Sequence, residues 1–288
     1  MRSPLPETPP PLRTALPAAQ LALEAYWQIG RHLRVYAVQV LVLSAVAWFV
    51  EMAVSILVAM MLIGADPGAY GTAQQLAFVV TIVTMLLLGG TAIFIDCQRA
   101  IVLGLPPAIG HALKLRTGET PVLRAVCAYW LIVHLVPTVI SNASSVVAPL
   151  QLDLPQLPVA ANFAFYWGWV LATTPLVVMS LPIVLFEGGS SPLARGRQRL
   201  EGNGGRMALA GALAFAPLAV LEVGLYLLRR YTGPFDSDPY LYWLFDIVLF
   251  NILQNAFSFA TILVMSALVA SAYIRLSPRI ESVYRVFD

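Results

Sequence analysis

The amino-acid sequence predicts an all-α, polytopic transmembrane bundle of six helices with both termini in the cytoplasm. Three observations predict it. Of the 288 residues, 59% are hydrophobic and only 11% are charged, whereas a soluble domain carries about 25% charged residues. The mean hydropathy is +0.78, and a water-soluble fold could not cover that much apolar surface. Long apolar runs also alternate with short basic connections, which is typical of membrane-crossing helices.

The N-terminal segment, residues 1–17, is rich in proline and precedes the first apolar run. It lacks the apolar side chains needed for a packed core, so we expect a disordered cytoplasmic tail. A cleavable signal peptide would carry a short apolar stretch of about 7 to 15 residues. The first run instead begins at Val35 and is roughly twice that length, so it is expected to remain as an anchor. Residues 18–288 are therefore predicted to form a single membrane domain.

Six apolar runs are long enough to cross a membrane, because a helix needs about 20 residues for one crossing. The first and last runs exceed that length, so we expect these helices to tilt or to project into the headgroups. Prolines in the later runs predict kinks that neighbouring helices accommodate. These prolines are Pro137, Pro175, Pro182 and Pro217. The predicted spans are residues 35–63, 76–95, 122–147, 163–186, 207–228 and 241–273.

The distribution of Lys and Arg predicts the orientation of the bundle. Fifteen of the seventeen basic residues fall on one side, and only Arg229 and Arg230 fall on the other. By the positive-inside rule, the basic side is the cytoplasm. With an odd number of crossings, the basic residues would be distributed over both sides of the membrane. The charges therefore support six spans independently of hydropathy.

Amphipathic, basic stretches of about fifteen residues precede the first, third and fifth spans, and their starts lie about 85 residues apart along the chain. This spacing predicts three repeats of an interfacial helix followed by a transmembrane hairpin. Alternation of linkers and hairpins through topology alone is the competing interpretation. The third stretch contains Gly202, Gly204 and Gly205, and a loop is equally compatible with its sequence.

Polar residues inside the predicted spans form the first candidate site. Ionised groups cost a few kcal/mol each at the bilayer centre, so these side chains are expected to face the bundle interior. One interpretation is a polar cavity that binds a headgroup or carries protons or solute. The other is hydrogen bonding between helices. The candidate intramembrane polar site comprises Glu51, Glu222, Asp246, Asn251, Gln254 and Asn255.

Cytoplasmic arginines form the second candidate site. Each basic side chain near an anionic leaflet contributes about 1 kcal/mol of binding, so a cluster of them predicts a rim that holds lipid phosphates. The alternative is that these charges serve only to orient the protein in the membrane. The candidate anionic-lipid rim comprises Arg31, Arg34, Arg195, Arg197, Arg199 and Arg206.

One segment, residues 181–211, carries a family resemblance. In it a proline-bearing span ends in an acidic residue and glycine, and an Ala, an Arg, a Leu and a Gly precede the next span. This order is similar to that around the fourth and fifth helices of the membrane domain attached to some bacterial glycerophosphoryl diester phosphodiesterases, and of related stand-alone integral membrane proteins. Residues 97–119 and 271–282 resemble the corresponding connection and C-terminal exit of the stand-alone relatives. The matching positions in the segment are Pro182, Glu187, Gly188, Ala194, Arg197, Leu200 and Gly202.

The resemblance implies a multi-pass protein of the bacterial inner membrane with a weak link to lipid metabolism. Phe186 and Gln198 depart from the pattern, which has Leu and Ser at these places. The phosphodiesterase domain, with its metal ligands and catalytic histidines, has no counterpart in this sequence.

No catalytic or cofactor-binding motif is present. The three histidines, His32, His111 and His134, lack the spacing of a metal site, and the sequence contains no phosphate-binding loop or GxSxG element. A net charge of +2 does not favour nucleic acid. We therefore expect no enzyme activity, metal or cofactor, and membrane lipids and a protein within the membrane as partners.

The expected function is that of a non-catalytic scaffold or accessory protein. The alternative is an amphiphile- or lipid-headgroup-binding or transport protein that uses the acidic intramembrane residues. An intramembrane enzyme is a third interpretation, although no nucleophile and base can be named for it.

Overall fold

The computed structural model describes residues 16–61, 84, 87–108, 120–130, 179–187, 191–231 and 248–277. Across these ranges regular structure is entirely helical, which confirms the all-α class. The helices are α1 (Ala18–Arg31), α2 (Leu33–Met61), α3 (residues 87–102), α4 (Thr120–Trp130), α5 (Ser180–Pro182), α6 (Pro192–Leu200), α7 (Gly204–Tyr231) and α8 (Asn251–Leu276). A π-helical turn, Ile183–Glu187, follows α5.

Among the described residues, three helical segments are long and apolar enough to cross a membrane: Leu33–Met61, Gly204–Leu221 and Val248–Leu276. They coincide with the first, fifth and sixth predicted spans, so the fold agrees with a membrane-embedded protein. Much of the second, third and fourth predicted spans (76–95, 122–147 and 163–186) falls outside the described residues, and six crossings remain a prediction.

Helix α2 buries one stripe of side chains, spaced every three or four residues, against α3 and α8. The stripe comprises Tyr36, Gln39, Val40, Leu43, Ser44, Ala47 and Glu51. Its other faces expose large apolar side chains, for example Phe49 at 69% and Met61 at 73%. A helix whose surface is apolar on nearly every side is suited to lipid rather than to water.

Two adjacent glycines let α3 approach α2 and α8 closely. A Cβ atom on Gly89 would lie 3.0 Å from the ring of Phe259 and 3.3 Å from Leu43 Cδ2, and one on Gly90 would lie 2.6 Å from Ile262 Cδ1. Small residues at such crossings allow backbones to pack tightly in membranes, where no hydrophobic effect draws helices together.

Helix α1 is amphipathic and lies against α7 and α8. It buries Leu21, Ala22, Ala25 and Ile29. It ends at Arg31, and a single residue, His32, separates it from α2. The structure places α1 directly before a long apolar helix, as expected of the first predicted interfacial helix.

The described chain begins inside the segment that the sequence assigns to the tail. Leu16 is only 3% exposed, and its backbone N–H donates to Asn203 Oδ1 over 3.0 Å. Residues 1–15 of the predicted tail lie outside the described part of the chain.

The end of the fourth predicted span contains Pro182, followed by the π-helical turn Ile183–Glu187. Proline removes a backbone donor, and a π turn is one way for a helix to accommodate the disruption. Helix α7, by contrast, continues as one helix through Pro217. Pro137 and Pro175 lie outside the described residues.

The third amphipathic stretch forms helix α6 over Pro192–Leu200, so its first part is a helix and not a loop. Its glycine-rich part begins as a turn at Gly202, whose φ is +79°, and then enters α7. The second stretch lies largely outside the described residues, and the threefold repeat therefore stays a prediction.

Candidate functional site

The middle of the apolar bundle holds a buried polar pair. Asn255 Nδ2, on α8, donates to Glu51 Oε1, on α2, over 3.2 Å. The exposed fractions of Glu51 and Asn255 are 5% and 7%. The structure thus brings together two of the six predicted intramembrane polar residues, and it joins them by a hydrogen bond between helices.

The other four members of that predicted set are divided between α7, α8 and the part of the chain outside the described residues. Gln254 is exposed, because it lies about 100° around the helix from its buried neighbour Asn255. Asn251 lies one turn before Asn255 and is half-buried. Glu222 belongs to α7, and Asp246 lies outside the described residues.

A second buried polar pair joins α2 and α3. Gln39 Nε2 donates to Asp96 Oδ2 over 2.7 Å and also to the carbonyl of Ala108 over 3.2 Å. The backbone N–H of Ala108 in turn donates to Asp96 Oδ2 over 3.3 Å. Asp96, which is 3% exposed, therefore holds both helix α2 and the segment that follows α3.

Sequence reasoning missed this pair because Asp96 directly follows the second predicted span. In the structure α3 continues to residue 102, so Asp96 lies inside a helix and not in a connection. The available signal was the stripe on α2, where Gln39 occupies the same buried face as Glu51 at spacings of three and four.

A third polar contact joins α3 and α8. Gln98 Nε2 donates to the carbonyl of Ser266 over 2.8 Å, and Ser266 Oγ donates to the carbonyl of Phe94 over 3.0 Å. Cys97, beside Gln98, is buried and forms no disulfide. Together the three contacts connect α2, α3 and α8 in each pairwise combination.

Two of the six predicted rim arginines are engaged by an acidic residue of the protein. Glu187 ends the π-helical turn, and its Oε1 lies 2.6 Å from Arg199 Nη2 while its Oε2 lies 3.3 Å from Arg195 Nη1. The hydroxyl of Tyr273 also donates to Glu187 Oε1 over 2.6 Å, and Arg199 donates to Ser277 Oγ. We call Glu187, Arg195, Arg199 and Tyr273 the Glu187 cluster.

The remaining four rim arginines, Arg31, Arg34, Arg197 and Arg206, are exposed. The Arg31 guanidinium lies 3.6 Å from the ring centroid of Trp27, which is a cation–π contact. The predicted rim therefore consists of two kinds of arginine. Arg195 and Arg199 form ion pairs within the protein, and the other four are exposed on its surface.

Two further contacts attach α1 to its neighbours. Glu24 forms an ion pair with Arg275 near the end of α8, and the Tyr26 hydroxyl donates to the carbonyl of Ala214 in α7 over 2.6 Å. Burial raises the pKa of Tyr26 above its usual value, so this hydroxyl remains a donor throughout the physiological range.

Among the described residues, no group of three or more His, Cys, Asp or Glu side chains could hold a metal ion. No family model matches the chain, and no match is found among curated proteins or solved structures. The resemblance to the membrane domain of glycerophosphoryl diester phosphodiesterases therefore stays a prediction from short motifs.

Proposed function

We propose that this chain is a non-catalytic, multi-pass scaffold or accessory protein of the bacterial inner membrane, with both termini in the cytoplasm. The observation that carries the proposal is that buried polar side chains of the described residues form hydrogen bonds between helices. The hydrogen bonds of Glu51, Gln39 and Gln98 each reach another helix of the same chain. These polar groups therefore hold helices together in the way expected of a structural framework.

The energetic scale supports a structural role. Hydrogen bonds between membrane helices contribute about 0.6 to 2 kcal/mol each, and three of them in different pairings fix the relative positions of α2, α3 and α8. A rigid arrangement of this kind provides a constant surface for another membrane protein. The orientation is supported by the partition of basic residues, and the inner-membrane location by the resemblance that residues 181–211 carry.

Native mass spectrometry of the full chain, extracted gently from its own membrane, tests the proposal because it reports bound proteins and lipids together. We expect a protein partner at fixed stoichiometry, retained in the Glu51→Gln variant. Glutamine keeps an acceptor for Asn255, so the apparent melting temperature should change little. Glu51→Leu leaves the buried Asn255 amide without its partner and should cost about 1 to 3 kcal/mol.

A second function, binding or transport of an amphiphile, is favoured by one feature of the same pair. Glu51 is buried and its partner, Asn255, is a neutral amide, so the carboxyl is available to recognise a headgroup when that amide moves. This function predicts a specific lipid that is retained by the wild type and lost on Glu51→Gln, without a stoichiometric protein partner. That outcome would refute the scaffold proposal.

A further inference from the structure

Helix α1 exposes a face that combines apolar, aromatic and basic side chains. Leu23, Trp27 and Arg31 follow one another at intervals of four residues, and Leu23 and Trp27 are 72% and 56% exposed. Leu33, which is 59% exposed, and the exposed Arg34 follow in the first turn of α2. We call these five residues the α1 outer face.

The contacts of α1 show where this face lies relative to the long apolar helices. Its C-terminal end is one residue from the start of α2. Asn203, which binds the Leu16 backbone, directly precedes α7, and Arg275, which pairs with Glu24, is in the last turn of α8. Each of the three membrane-length helices in the described part of the chain therefore has an end beside α1.

A helix that contacts three such ends lies where they leave the hydrocarbon. At that depth, Trp and Leu side chains insert between lipids and Arg side chains reach the phosphates. The Arg31 guanidinium stacks on Trp27, and stacking leaves the donors at the edge of the guanidinium free to bind a phosphate in bidentate fashion.

We propose that the α1 outer face is a binding surface for anionic phospholipids of the adjacent leaflet, with Trp27 inserted among the lipids and Arg31 and Arg34 on their phosphates. Charge complementarity identifies the occupant, since both charged groups of this face are cationic. Arg195 and Arg199 are not part of the surface, because Glu187 engages them. This inference holds whether the chain acts as a scaffold or as an amphiphile carrier.

The test uses the full chain in nanodiscs that contain phosphatidylglycerol and phosphatidylcholine, with retained lipids counted by native mass spectrometry. The double variant Arg31→Gln, Arg34→Gln should bind phosphatidylglycerol at least about tenfold more weakly, because each arginine near an anionic leaflet contributes to the free energy of lipid binding and the variant removes two of them. Retention of phosphatidylcholine should be unchanged. Arg195→Gln is the control for an arginine that Glu187 already engages; it removes one charge where the double variant removes two, and it should change retention less than about twofold.

A second measurement reports the position of Trp27 directly. Lipids brominated near the headgroup quench nearby tryptophans, so the quenched fraction should be larger in the wild type than in Trp27→Phe. Circular dichroism and size-exclusion chromatography show whether the double variant is folded. If it is not, the difference in quenching between the wild type and Trp27→Phe tests whether the α1 outer face contacts lipid. Equal phosphatidylglycerol retention in the double variant and the Arg195→Gln control would overturn the proposal. So would a Trp27 that brominated lipids do not quench, including one covered by a protein subunit.

Discussion

Replacement of Glu187 offers a graded test of how α6 and α8 are held together. In Glu187→Gln the side chain keeps an acceptor for the Tyr273 hydroxyl but loses its charge. The two ion pairs that it loses are about one quarter to one third exposed, with side-chain values of 26% for Glu187, 22% for Arg199 and 32% for Arg195. Such pairs contribute about 0.2 to 1 kcal/mol each, so the expected loss is about 1 kcal/mol.

Glu187→Ala removes the acceptor as well. Tyr273 is 2% exposed, and a buried hydroxyl that loses its partner costs a further 1 to 3 kcal/mol or so. For a chain of this size, a loss of 1 kcal/mol lowers the melting temperature by about 2 °C. We therefore expect a decrease of about 2 °C for Glu187→Gln and about 4 to 8 °C for Glu187→Ala, measured by thermal unfolding in detergent.

A double-mutant cycle with Tyr273→Phe isolates the hydrogen bond. The combined variant Glu187→Ala, Tyr273→Phe should lose less stability than the sum of the single variants, because phenylalanine leaves no hydroxyl without an acceptor. Strictly additive losses, or a Glu187→Ala variant as stable as Glu187→Gln, would refute the role assigned to the Glu187 cluster.

Two further predictions concern the close contacts of α3. Gly89→Ala places a methyl group 3.0 Å from the buried ring of Phe259 and 3.3 Å from Leu43 Cδ2; overpacking of this kind costs up to about 3 kcal/mol, against a gain of about 1 kcal/mol in helix propensity, so the melting temperature should fall. Gly90→Ala is the matched control, because its methyl group meets the flexible end of Ile262, which can move aside; an equal fall in both variants would show that packing against Phe259 is not the cause. Asp96→Ala should destabilise the protein by about 1 to 3 kcal/mol, because it removes the carboxylate that accepts from both Gln39 and the Ala108 N–H and leaves Gln39 only the Ala108 carbonyl. It should also increase proteolysis after α3, whereas unchanged proteolysis would mean that Asp96 does not hold that segment.

The class of protein and the position of three long helices could be predicted from the sequence because they depend on local composition. An apolar run such as Leu33–Met61 is a helix in lipid whatever its neighbours are. The burial of Glu51 was also predictable, because an acidic residue within such a run is far less costly inside the bundle than facing lipid. Its partner Asn255 was in the predicted set, but no property of the sequence distinguished it from Gln254.

The contacts of charged residues were less predictable, because they depend on how distant segments meet. Arg195 and Arg199 share a helix face four residues apart, and Arg197 points elsewhere. The spacing shows that Arg195 and Arg199 lie on a different face from Arg197. It does not show that Glu187 will form ion pairs with Arg195 and Arg199. Asp96 was missed for a different reason, because a hydropathy boundary marks the end of an apolar run and not the end of a helix.

The π-helical turn after Pro182 has a consequence for the tolerance of this chain to insertions and deletions. A π turn contains one residue more than an α turn, so deleting one residue from Ile183–Phe186 could restore an ordinary helix at little local cost. The deletion would rotate α5 by about 100° relative to Glu187. Either the buried residues of α5 would turn away from their neighbours or Glu187 would move away from Tyr273 and Arg199. Point substitutions should therefore be tolerated in this turn more readily than any change in its length.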